Sequence, residues 1–266
     1  MEKKYKLTEE YTTIGDKKLY RIEALKDFSN VKKGDKGGFV ESEYNLSQYN
    51  NCWIHDDAVV YSSAKICDNA IVYGNVRVCD NAIIYGDARV FGNAQVCDNT
   101  RVFDNAKILG NTIVYNEAKI FGSARIFDNV VVCNNAEIYD NAAICDNTII
   151  CDNTKVYGKA IVHGDSEICD DVIICGNANI FNADINRNAK VASTSDYIVF
   201  KNWWSSGRYF TWTRSNNMWS VGCFYGTGEE LIAKAYKDSE LSGREYKRVV
   251  KYVESIINED KTIVIE

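Results

Sequence analysis

Every sixth residue from Ile54 to Ile180 is valine or isoleucine, without exception. The series opens Ile54, Val60, Ile66, Val72, Val78 and closes Val162, Ile168, Ile174, Ile180. Two places before each aliphatic stands a small or β-branched residue, such as Ala58, Ala64, Ala70, Val76 or Thr100. Two and three places after it comes a turn pair such as Gly74-Asn75, Asp80-Asn81 or Gly86-Asp87. Gly, Asn and Asp tolerate left-handed backbone angles and form local turn bonds, so each hexad predicts one short strand and one corner.

The residue just after each aliphatic tells how many hexads close a coil. Every third hexad gives Tyr61, Cys79, Cys97, Tyr115, Cys133, Cys151 and Cys169. The second series is Cys67, Tyr85, Phe103, Phe121, Tyr139, Tyr157 and Cys175. The third is His55, Tyr73, Phe91, Leu109, Phe127, Cys145, His163 and Phe181. Cysteine gathers in one series and aromatics dominate the others, so the period is 18 and a coil is a triangle of three sides. Coils stacked at the roughly 4.8 Å strand spacing give a mainly β, parallel β-helix of about seven coils, with Ala or Thr and Val or Ile filling its narrow core.

The ends differ from this body. Residues 1–53 read as the N-terminal cap that hides the first open edge, with Gly34, Gly37 and Gly38 marking tight turns. The hexapeptide body spans 54–192, and its pattern fails where Asn186 takes an aliphatic position. Residues 196–266 predict a small α+β domain. Its strands are Tyr197 to Phe200, Arg208 to Thr213 and Trp219 to Tyr225, followed by a helix from Glu229 to about Asp238. Ser242-Gly243-Arg244-Glu245 is a capping-box signature for a last helix with Tyr246, Val249, Val250, Val253, Ile256 and Ile257 on its apolar face.

The hexads resemble the left-handed β-helix of the hexapeptide-repeat superfamily. More narrowly, three segments are similar to YdcK-like hexapeptide proteins of bacteria and their phages: Leu19-Tyr20-Arg21-Ile22-Glu23-Ala24-Leu25-Lys26-Asp27, the run from Val31 to Glu43, and Asn45-Leu46-Ser47. The resemblance covers residues 1 to about 192. It implies left-handed coils and a homo-oligomer, commonly a trimer in this superfamily. Its members are usually labelled transferases on fold alone, and fold does not fix function. Residues 196–266 resemble a block that recurs in phage-type sequences.

Composition narrows the partners. A net charge of −6 disfavours duplex nucleic acid or an acidic membrane, since phosphate-tracking surfaces show a basic excess. No apolar run of about 18 residues or signal-peptide stretch is present, so a cytoplasmic protein is expected, in the host cell if phage-encoded. The ten cysteines then read as reduced thiols.

Acyl transfer on this fold uses a histidine base and often a loop thrown out from the coil. His55 and His163 are six coils apart in one face series, and no hexad carries an insertion. Both read as ladder residues, so no catalytic residue is assigned, although His163 at a subunit interface stays open. Cys79 with Cys97, and Cys133 with Cys151 and Cys169, stack on one face and could hold a soft metal. Their spacing is that of the repeat and there is no Cys-x-x-Cys, so packing is preferred. Asp80 with Asp98 and Asp152 with Asp170 read as solvated turns. No metal or cofactor is expected.

Binding remains. Arg208, Phe210, Trp212 and Arg214 alternate onto one face of their strand, with Trp203, Trp204, Trp219 and Asn216 nearby in sequence. Aromatics flanked by guanidinium groups suit a small anionic, possibly nucleotide-type ligand. The same tryptophans could instead form the core of a 70-residue domain. The expectation is a non-catalytic binding protein, with sequestration of a host-defence signal suggested by the phage resemblance. The alternatives are a CoA-dependent acyltransferase and a structural or assembly protein. An outward stripe of Ile113, Val131 and Ile149 needs a cover.

Overall fold

The computed structural model describes residues 2–263, with side chains to 259. Its body is a parallel β-solenoid whose strands pair with those 18 residues away, as in Val78↔Val96, Val90↔Ile108 and Val102↔Ile120. The aliphatic of each hexad, and the small residue two places before it, lie wholly buried along one continuous core. Two of the three solenoid sheets hold eight strands each, so there are about eight coils rather than seven.

The additional coil comes from both ends. Strand β3 (Lys36–Val40) already belongs to the solenoid, pairing Val40 with Val60, and Leu46 bridges Ile66. At the other end the pattern does not stop at Asn186 but shortens by one residue. Ile185 pairs with Ile168 and Val191 with Ile174, each 17 residues apart, and both are wholly buried. A single deletion at a corner leaves the inward phase of the next strand intact.

The corners explain the choice of Gly, Asp and Asn. The residue two places after each aliphatic has positive φ throughout, for example Asp56 (54°), Gly74 (86°) and Asn116 (61°). Where that residue is aspartate, its carboxylate commonly accepts from the corner N–H one coil on. Gly74 N donates to Asp56 Oδ2 at 3.0 Å, Gly122 N to Asp104 Oδ2 at 3.1 Å and Gly164 N to Asp146 Oδ2 at 2.8 Å. The next residue builds amide ladders, such as Asn75–Asn93–Asn111–Asn129–Asn147 at 2.9–3.1 Å per step. Each carboxylate bond satisfies a backbone N–H at the turn, and the amide ladders tie the corner side chains of successive coils together.

The N-terminal cap is an antiparallel hairpin of β1 (Tyr5–Ile14) and β2 (Lys17–Ala24), whose second strand pairs antiparallel with β3. It ends the sheet with antiparallel strands. Gly37 and Gly38 lie within β3 rather than in turns. A β-carbon there would collide with the carbonyl oxygens of Ile54 and Ala58, so close approach of two backbones requires glycine.

The C-terminal module has four antiparallel strands: Tyr197–Lys201, Tyr209–Thr213, Met218–Val221 and Phe224–Gly226. The expected third strand is two, split by a turn with Gly222 at φ 55°. Helix α1 (Gly228–Asp238) carries a capping box of Thr227 and Glu230, while α2 begins at Glu240, so Ser242 lies inside it. Ser239 takes the capping role there, its Oγ accepting from Ser242 N at 3.0 Å. No described helix is long and apolar enough to cross a membrane.

One face of this sheet packs on the helices and the other closes the solenoid's last edge. Asp184 N donates to Thr211 Oγ1 at 3.0 Å and Lys190 N to Ser215 Oγ at 2.8 Å. Tyr197 OH donates to Asn179 O at 2.7 Å. Side-chain hydroxyls thus replace the partner strand that the final coil lacks.

The cysteine ladder is not uniformly reduced. Cys151 and Cys169, on adjacent strands with Cα atoms 4.7 Å apart, form a disulfide, while Cys52, Cys67, Cys79, Cys97, Cys133, Cys145, Cys175 and Cys223 are free.

Two stability predictions follow from these contacts. Asp104→Ala removes a carboxylate bond and the polar side chain that eases this residue into φ 56°, so a loss of about 2 kcal/mol is expected. Asp104→Asn should lose less than half of that in the same denaturant titration. Desolvation, helped by Glu167, raises the Asp184 carboxyl to about 6. The unfolded chain ionises this group from near 3.8, so docking stability is full at lower pH and falls as pH rises through 6. Asp184→Asn should flatten that slope in thermal unfolding measured between pH 4 and 7.

Candidate functional site

The eight aromatic, arginine and asparagine positions of the C-terminal module separate into core and surface. Phe210, Trp212 and Trp219 are buried with Leu231, Ala235, Tyr246, Val250 and Val253, so their ring faces are closed to a ligand. Trp212 Nε1 donates to Asn217 Oδ1 at 2.9 Å. Trp204 is half-buried, edge-on to Tyr246 at 5.0 Å. Arg214 is half-buried, its Nε donating to Ser195 O at 3.1 Å. Asn216 Nδ2 donates to Tyr225 OH at 3.0 Å and to Arg187 O at 3.3 Å. Only Trp203, 73% exposed, and Arg208 face outward, from the loop between the first two strands. A small module with two helices on one sheet face needs large side chains between them, and these aromatics fill that space.

His163 sits on an open face. Its Nε2 lies 2.9 Å from Asn179 Oδ1, its Nδ1 lies 3.9 Å from Asp146 Oδ2, and its ring tilts on exposed Phe181. His55 has a different setting. It lines a trough of about 320 Å³ with Asn30, Asp56, Ile71, Tyr73 and Arg89. A second hollow of about 250 Å³ shares Ile71 and Arg89 and adds Ser29, Asn51, Asn69 and Asp87.

The N-terminal cap makes this trough. Between β2 and β3 the chain folds into a tight loop, with Phe28 and Val31 bridged and Ser29 at φ 47°. Asp27 holds the loop through Lys33 N at 2.9 Å, and Phe28 packs edge-on to Trp53 at 5.3 Å. Ser29 and Asn30 therefore overhang the first coil. The hexads contain no excursion, but the cap supplies one. The sequence marked His55 only as a ladder residue, because nothing in the repeat shows where a loop outside it will land.

Burial holds the half-buried His55 imidazole below its ordinary pKa, against the opposing pull of Asp56 and Asp35, so the ring is neutral at pH 7. It meets Tyr73 edge-on at 6.5 Å, and Tyr73 stacks on Phe91 at 4.8 Å. Beside these rings, Arg89 pairs in register with Lys107 and Lys107 with Arg125. Among the described residues none of the three makes a side-chain hydrogen bond or ion pair. Another sheet solves the same problem differently, with Glu137 between Lys119 (2.9 Å) and Lys155 (3.1 Å). Three stacked, unneutralised cations beside an aromatic column form a surface suited to an anion.

The fold and this trough define a hexapeptide-type parallel β-solenoid with a trough at its N-terminal end lined by His55, Tyr73 and Arg89. Residues 64–80 and 82–98 match the model of the YdcK β-solenoid repeat. A protein of Escherichia coli (strain K12) described as "Uncharacterized acetyltransferase YdcK" is 39% identical over 71 residues, 23% of this chain and 22% of that protein. The similarity thus spans less than a quarter of that relative.

Core and surface aromatics should differ sharply on truncation. Trp212→Ala is expected to cost about 3–5 kcal/mol of module stability. Trp203→Ala and Arg208→Ala should each stay within about 0.5 kcal/mol, all compared by denaturant unfolding followed by tryptophan fluorescence.

Proposed function

We propose that this protein is a non-catalytic binding protein for a small anionic, ring-bearing ligand of nucleotide type, held at the His55–Arg89 trough. The observation that carries this reading is the column Arg89, Lys107 and Arg125, which stacks like charges on neighbouring strands without a described anionic partner. Like charges in adjacent strands destabilise the sheet, and a bound polyanion would offset that cost. Tyr73 and His55 offer ring contacts, while Asn30 and Asp56 offer polar groups at the rim. Trp203 and Arg208 form a separate, smaller aromatic and cationic surface on the C-terminal module.

The half-exposed Ile113, Val131 and Ile149 stripe supports a homo-oligomer, with a trimer as the form the superfamily resemblance implies. The phage-type resemblance supports sequestration of a host-defence signal as the biological use of such binding. A second reading, acyl transfer, has one specific support besides the E. coli relative's description: a neutral His55 nitrogen in a trough can act as general base.

Native mass spectrometry of the purified protein, followed by calorimetric titration with ATP and with acetyl-CoA, tests these readings together. Binding that weakens at least about tenfold in Arg89→Ala, and falls steeply with salt, is the expected result. Binding lost in Arg208→Ala but kept in Arg89→Ala would return the site to the C-terminal module. Absence of binding to either compound overturns the nucleotide-type assignment. Release of free CoA by wild type, abolished in His55→Ala, would favour acyl transfer.

A further inference from the structure

We propose that Cys79, Cys97 and Asp80 form a binding site for a thiophilic divalent cation of the zinc class. The site lies on a different sheet from the trough. Strands 77–78 and 95–96 pair in parallel, Arg77↔Gln95 and Val78↔Val96, and Cys79 N donates to Val96 O at 3.0 Å. The two cysteines therefore stand one above the other on adjacent coils. Stacking alone is what the repeat dictates, and by itself it makes only a thiol ladder.

The third ligand changes the chemistry. Asp80 occupies a left-handed corner at φ 59°, as do the aspartates that bond to the next coil's backbone. Asp56, Asp68, Asp98, Asp104, Asp140, Asp146 and Asp152 each accept from the N–H 18 residues on. Among the described residues Asp80, like Asp128, makes no such bond. Its Oδ2 instead accepts from Cys79 Sγ at 3.3 Å. The Cys79, Cys97 and Asp80 ligand atoms all lie within 4.8 Å of one another.

Those separations place the three ligand atoms within reach of one four-coordinate metal. With metal–sulfur bonds of about 2.3 Å and metal–oxygen bonds of about 2.0–2.2 Å, tetrahedral angles put sulfur about 3.8 Å from sulfur and about 3.5 Å from oxygen. Cys79 is buried and Cys97 half-buried, which shields the thiolates, while Asp80 is exposed and leaves a side open for water as fourth ligand. Two soft thiolates with one carboxylate select zinc-class cations over calcium or magnesium. Loading converts two thiols to thiolates and releases two protons to solvent, so affinity rises with pH. Cys151, Asp152 and Cys169 form a similar cluster, but there the two sulfurs are bonded to each other and Asp152 Oδ2 also accepts from Asp170 N at 3.2 Å.

The test uses the full chain, stripped of metal and kept in a phosphine reductant, titrated with Co²⁺ and then displaced by Zn²⁺. To remove the second thiol pair, the parent carries Cys151→Ser and Cys169→Ser. One equivalent of Co²⁺ with a thiolate charge-transfer band is expected. Asp80→Asn should keep the band and weaken binding about tenfold, and Cys79→Ser with Cys97→Ser should abolish it. In the natural chain, Zn²⁺ should protect Cys79 and Cys97 together from alkylation in peptide mapping, a readout that needs no variant to fold. A thiolate band that persists unchanged in the Cys79/Cys97 double variant overturns the proposal. So does the absence of both band and protection.

Discussion

The left-handed corner, repeated every six residues, is the constraint on which the rest of this molecule depends. It turns the chain after a single buried aliphatic and brings residue i beside residue i+18, so all inter-coil pairing follows from it. Left-handed angles cost an L-residue about 1–2 kcal/mol. Glycine avoids that cost and aspartate offsets it by bonding the next coil's N–H, as Asp104 does with Gly122. The corners are therefore also the joints between coils. A stack built this way has open ends, and both appendages answer that need: a hairpin at one end, hydroxyl-bearing strands at the other.

The body was legible because its signal is redundant. A period of six in the aliphatics gives the strands, and the clustering of cysteine against aromatics in the following position gives three sides to a coil. The ends were less legible because each breaks phase once. Ile185 arrives one residue early, so a strict count of six lands on Asn186 and sees a failure where the core continues. Gly37 and Gly38 read as turns, although their function is to admit a neighbouring carbonyl. Ser242 lay in a capping-box pattern, but Ser239 was closer to the break between the helices and took the cap.

The candidate site was harder to read for a different reason. In the C-terminal module, alternation correctly placed Phe210 and Trp212 on one face, but alternation is blind to what covers that face. The helices cover it, and the aromatics became core. At the other end, the sequence marked His55 only as a member of its column and did not single out Arg89 at all. Their significance came from Ser29 and Asn30, which lie in a loop some 25 residues earlier and reach the first coil only through the fold of the cap.

A repeat protein repeats its side chains along with its backbone, so a stacked column by itself says little about function. Phe103 lies on Phe121 at 4.9 Å with near-parallel rings, and that contact is sufficient reason for both. Glu137 between Lys119 and Lys155 is likewise explained by the ladder it completes. Departures carry more information, because the ladder's own energetics oppose them. Arg89, Lys107 and Arg125 stack like charges where another sheet interleaves an acid. Asp80 lacks the inter-coil bond that most corner aspartates make, and its carboxylate accepts from a thiol. Neither arrangement improves the solenoid's own pairing. Each leaves ligand-competent groups, guanidinium and ammonium donors in one case and sulfur and carboxylate in the other, facing a position that another molecule or ion can fill.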